Sequence, residues 1–139
     1  MNLAVELPVG LLDLSHTTDY DFIIASHCLS NKDYYDYYKS HRRSHTILDN
    51  GAFELGRSLT VVELRDICEA LRPEIVVLPD VVDNAFQTRI ASDAFLKAHP
   101  SPPFGLMGVL QGKSVGDYLD CLQWYAKQSS VTTIGIPYH

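Results

Sequence analysis

The chain has 139 residues, one domain's length, with ordinary hydrophobic (46%) and charged (20%) fractions and a net charge of −6. That acidic balance argues against a general polyanion binder, whose phosphate contacts need Lys and Arg. It has no apolar run of about 18 residues to span a bilayer and no signal-peptide pattern at its start. Cys28, Cys68 and Cys121 stand far apart, without a CxxC pair or Cys/His cluster, and read as reduced thiols of a cytoplasmic protein.

Short apolar strands alternate with amphipathic helices across residues 1–139, read as a single domain. Phe22 to Ser26 (FIIAS) predicts a strand, and Asn31 to His41 a tyrosine-rich helix. Its Tyr34, Tyr35, Tyr37 and Tyr38 either pack or offer bases a stacking surface. His41, Arg42 and Arg43 then form a solvated helix end or a local basic patch. Thr46 to Leu48 is the next strand. Thr60 with Glu63 has capping-box spacing and opens a helix over Val61 to Leu71. Ile75 to Leu78 is a continuous apolar strand, as expected when both faces are buried. Asn84 caps a helix with Phe86, Ile90, Ala94 and Phe95 on one side, stopped by His99 and Pro100. Leu106 to Leu110 is a strand. Ser114 with Asp117 opens a helix bearing Val115, Leu119 and Leu122, and Thr132 to Ile136 is the last strand.

Such alternation predicts parallel strands joined by right-handed crossovers. Asp49, Asp80 and Gln111 are spaced 31 residues apart, one βα unit each time. Five strands and four helices fit about half of a TIM-type (β/α)8 barrel, which takes about 250 residues. The competing open doubly wound sheet is expected to carry a glycine-rich loop after its first strand, and the sequence has none.

Asp49, Asp80 and Gln111 each follow a predicted strand. At the carboxyl ends of parallel strands they would converge on one pocket, although an Asp there is also a good turn former. Gly51 and Ala52 let backbone approach a flat ligand, and Phe53 either stacks on it or enters the core. Apolar neighbours should raise the pKa of Asp80 unless it is paired, and its carboxylate suits two donors such as guanine N1–H and its amino group. Gln111 with Gly112 offers a donor and an acceptor to a heterocycle edge. His27 lines the same pocket or is structural, and Lys113 meets a phosphate or solvent.

Leu48–Gly56 (LDNGAFELG), Leu78–Asn84 (LPDVVDN), Val109–Cys121 (VLQGKSVGDYLDC) and Thr132–Tyr138 (TTIGIPY) resemble, in order and spacing, the tRNA-guanine transglycosylase family. That family includes relatives that insert deazaguanines into DNA. The resemblance implies that Asp49 is a general acid/base near the sugar and that Asn50 belongs to the base-binding motif, where the family often has Ser. It further implies that Phe53 stacks on the base, Asp80 reads the guanine edge, Gln111 and Gly112 contact the base, and Gly135 with Ile136 closes over it. The last motif lacks the family's common acidic ending, and Ala52 stands where Gly is frequent.

The implied reaction is base exchange. An aspartate attacks the anomeric carbon and displaces guanine, and an incoming deazapurine attacks the covalent intermediate. In the family that nucleophile lies on a later strand, beyond His139, as does the zinc-binding Cys/His cluster of the tRNA enzymes. The chain itself is therefore expected to hold no metal or cofactor. Its expected partners are guanine or 7-deazaguanine, tRNA or DNA, and either a homo-oligomer or a second chain that completes the barrel. A second reading is a base-binding or assembly partner without the nucleophile. The third is a barrel hydrolase using Asp49, Asp80 and His27 around a metal.

Overall fold

The computed structural model describes residues 3–41, 43 and 45–137. It is an α/β structure with six parallel strands, whose order in the sheet is their order in the chain. The strands are β1 Ala4–Glu6, β2 Tyr20–Ile24, β3 Thr46–Asp49, β4 Ile75–Val77, β5 Gly105–Val109 and β6 Val131–Gly135. Helices α1 Ala25–Ser30, α2 Lys32–Ser40, α3 Ala52–Leu55, α4 Val61–Leu71, α5 Ala85–Ala98 and α6 Val115–Tyr125 fill the connections. A 3-10 helix, Val9–Thr17, links β1 to β2. No helix among the described residues is long and apolar enough to cross a membrane.

Register explains which side chains are buried. Residues paired across a parallel ladder share a face, and Ile23, Leu48, Val76 and Leu106 lie in one row. They join Leu64, Ile67, Leu71 and Phe95 of the helices in one core cluster. The opposite face carries Phe22, Ile47, Ile75, Met107 and Val109, which remain half-buried. At Gly108 an added Cβ would meet the Tyr125 ring at 2.6 Å, so glycine lets α6 close down on the sheet.

The caps read from the sequence form as expected. Thr60 with Glu63 and Ser114 with Asp117 make full capping boxes, and Asn84 accepts from the Gln87 N–H. Other expectations are corrected. Six strands form rather than five: β1, Ala-Val-Glu, is largely exposed and lacks the continuous apolar run that marks the equally short β4. The apolar run at Phe22 turns helical at Ala25 instead of staying extended to Ser26. Of the expected stripe Phe95 is buried, but Phe86 and Ile90 point outward, 60% and 50% exposed, and α5 buries Ala85, Thr88 and Ser92 beside Phe95.

Tyr34 and Tyr38 are buried, and the Tyr34 hydroxyl accepts the Ile24 N–H at 3.0 Å, so these two rings pack. Arg42 of the expected basic patch lies outside the described residues. Arg43 is turned inward, donating to buried Asp21 at 3.1 Å and to the Thr18 carbonyl at 2.6 Å. Burial raises the Asp21 pKa and the Arg43 guanidinium opposes that rise.

Candidate functional site

The carboxyl ends of β3, β4 and β5 bring Asp49, Asp80 and Gln111 to one cleft of about 310 Å³, with Phe53, Val82, Val109 and Pro137 among its walls. The convergence of Asp49, Asp80 and Gln111 expected from their spacing is therefore present.

Asp80 is the centre of a buried polar network. Its Oδ1 accepts from the Asn50 amide at 2.7 Å and its Oδ2 from the Gln111 amide at 2.5 Å. Asn50, fully buried, also donates to the Leu78 carbonyl at 2.8 Å and accepts the Ala52 N–H at 2.9 Å. Gln111 accepts the Asp83 N–H at 3.0 Å. Desolvation raises the pKa of Asp80, and the two amide donors act against that rise.

The backbone under Asp80 is held carbonyl by carbonyl. Asn50 binds Leu78 O, Ser92 binds Pro79 O at 2.9 Å, Ser58 binds Asp80 O, and Thr88 binds Val81 O at 3.1 Å. Thr88 also accepts the Val81 N–H, and Ser92 shares a hydrogen bond with the Tyr125 hydroxyl at 2.9 Å. Buried carbonyls off the sheet ladder need such partners. Ser58, Thr88, Ser92 and Tyr125 were not singled out in the sequence. Hydroxyls at Thr88 and Ser92, on the α5 face that also bears Ala85 and Phe95, are the signal that could have found two of them.

Asp49 is held far less. Among the described residues its hydrogen-bond partner is the Gly51 N–H at 3.0 Å. Burial pushes its carboxyl up to about 6; the Gly51 bond opposes this, and the charges of Asp80 and Glu54 add to it. Gly51 sits at φ +72, and a Cβ there would meet Ser26 Oγ at 2.4 Å, so the turn after Asn50 demands glycine.

The remaining expected residues divide between the cleft and other surfaces. Phe53 is 74% exposed at the cleft, not in the core. Gly135 pairs with Val109 of the cleft wall. Gly112 lies with Lys113 on a separate shallow surface, and a Cβ there would meet Asp117 Cβ at 2.1 Å, so this glycine seats the start of α6. Asn50 stands behind Asp80 with its amide donors already used, so it serves the site through Asp80. His27 belongs to α1, 3.8 Å from Glu6 and edge-on to Tyr34. Among the described residues, no three or more His, Cys, Asp or Glu side chains are grouped to hold a metal ion.

No family model, no curated protein and no solved structure matches this chain.

Proposed function

We propose that this chain supplies the base-binding part of a site for guanine or 7-deazaguanine exchange on tRNA or DNA in the cytoplasm. One observation carries the reading. Buried Asp80 accepts one amide N–H on each oxygen, and each oxygen retains capacity for another donor. A heterocycle edge with two adjacent N–H groups satisfies that pair. Phe53 offers the ring face a stacking partner, and the cleft lies at the small end of ligand pockets, roughly 300–1,000 Å³.

Asp49 takes the proton role. A carboxyl near 6 accepts and returns a proton close to neutral pH. The nucleophile that displaces guanine from the anomeric carbon is assigned to a complementing segment. We propose further that the sheet is part of a (β/α)8 barrel. Six strands in chain order leave two to be supplied. A second copy brings six, so the complement that closes this wall is a two-stranded βα segment, in the same chain or another.

The second reading, a base-binding partner without exchange, is favoured by the commitment of Asp80 to its two amides, which leaves Asp49 as the less restrained carboxylate in the cleft. Calorimetry with guanine on the wild type and Asp80→Ala tests base recognition. Binding lost in the variant supports it, and a folded wild type that binds no guanine overturns it. Labelled-guanine exchange into tRNA and DNA then separates the two readings.

A further inference from the structure

The amides on either side of Asp80 cannot turn over. Asn50 Oδ1 is engaged by the Ala52 N–H and Gln111 Oε1 by the Asp83 N–H. Flipping either amide would set N–H against N–H there and oxygen against carboxylate at Asp80. Backbone turns at Gly51 and at Asp83, where φ is +60, aim those two N–H groups. Backbone geometry thus dictates that both side chains present donors to the carboxylate.

We propose that Asn50 and Gln111 are positioning residues that lock Asp80 as a hydrogen-bond acceptor, so that the cleft selects ligand edges carrying paired N–H donors. This rests on the base-binding reading above for its ligand, but the lock itself is a property of the free protein. An ionised Asp80 keeps two charge-assisted bonds that a protonated one weakens. A ligand edge presenting acceptors would meet acceptor against acceptor. Hypoxanthine, which lacks the amino group of guanine, fills only one of the two places.

Single-atom replacements test the lock. Asn50→Asp and Gln111→Glu keep the oxygen that receives the backbone N–H and replace the NH2 donor with an oxygen. Each puts a second carboxylate against Asp80, and one shared proton restores the donor between them, although in Asn50→Asp the bond to the Leu78 carbonyl stays lost. The other titratable groups felt at Asp80 are Asp49 of β3, Glu54 of α3, and Cys121 and Tyr125 of α6. None of these is altered by the two variants.

Guanine and hypoxanthine affinities are measured by calorimetry from about pH 8 to about pH 5 on wild type and both variants, with carboxyl-carbon NMR of Asp80 in parallel. At about pH 8 each variant should bind guanine at least ~10-fold more weakly, with the guanine preference over hypoxanthine reduced. Affinity should return on acidification, a gain the wild type does not show. A merely structural role predicts equal loss for both bases at every pH, and that result, or unchanged affinity, overturns the lock. If the wild type binds no guanine, the base reading fails and NMR decides the lock alone. An Asp80 midpoint raised by about one unit or more in the variants sustains it, and an unmoved midpoint overturns it. Failure of both variants to fold at about pH 5, where the shared proton should restore the bond, also counts against it.

Discussion

Asp49 ends β3 and Asp80 follows β4 by three residues, and the two carboxylates of one cleft are held very differently. Asp80 is gripped by two amides, and four consecutive carbonyls beginning at Leu78 are pinned by side chains. Asp49 has the Gly51 N–H and a carboxyl raised to about 6. On the proposed reading, the carboxylate that recognises the base is held in place by two amide donors, whereas the one that moves protons is left desolvated and lightly bonded. Preorganisation costs stability unless every buried partner is satisfied, and around Asp80 it is.

Replacing each aspartate in turn gives the largest expected effects. Asp49→Asn should lower base exchange, measured with the complementing segment present, by about 10²–10⁴-fold. Guanine binding by the same variant should change little. Asp80→Ala should instead abolish detectable guanine binding, a loss of roughly 100-fold or more for two charge-assisted hydrogen bonds. Equal loss of binding from both variants would erase the division of roles.

The pinning beneath Asp80 gives the next effect. Ser92→Ala leaves the Pro79 carbonyl and the Tyr125 hydroxyl without their shared partner, and should cost about 1–3 kcal/mol in urea unfolding. It should also weaken guanine binding, because one of the four pins on the backbone around Asp80 is lost. A stability loss without a binding loss would show that pinning serves the fold alone.

Asp49 also leaves a signature in stability against pH. Its pKa is about 6 in the folded chain against an ordinary 3.8 for an aspartate, so between those limits the folded state binds more protons. Stability from this group is greatest below the lower limit and falls as pH rises through the folded value, by at most about 3 kcal/mol. Urea midpoints for Asp49→Asn should lack this decline. The smallest effect is expected at the cleft rim, where Phe53→Leu should weaken guanine binding by roughly 3–10-fold in calorimetry.

Much of this organisation is legible in the sequence because it is local. Hydrophobic period marks β2 to β6 and the four longer helices, hydroxyl and amide caps mark helix starts, and a 31-residue spacing puts Asp49, Asp80 and Gln111 in phase. The largely exposed β1 carries no apolar run like that of the equally short β4, and the four-residue α3 is too short to carry a period. Phe86 and Ile90 mislead for a related reason: period identifies an apolar stripe without saying what stands opposite it. Likewise, Arg43 reads as a solvated cation until the fold brings Asp21 beneath it.

The sequence by itself determined the βα alternation, the caps and the convergence of three polar residues at strand ends, since each follows from spacing along the chain. Only the tertiary structure decided that Asn50 stands behind Asp80, that Ser58, Ser92 and Thr88 hold its backbone, and that Asp49 is left lightly bonded. Those outcomes join residues such as Asn50 and Asp80, 30 positions apart in the chain, and a hydrogen bond over such a separation depends on the packing of several elements at once.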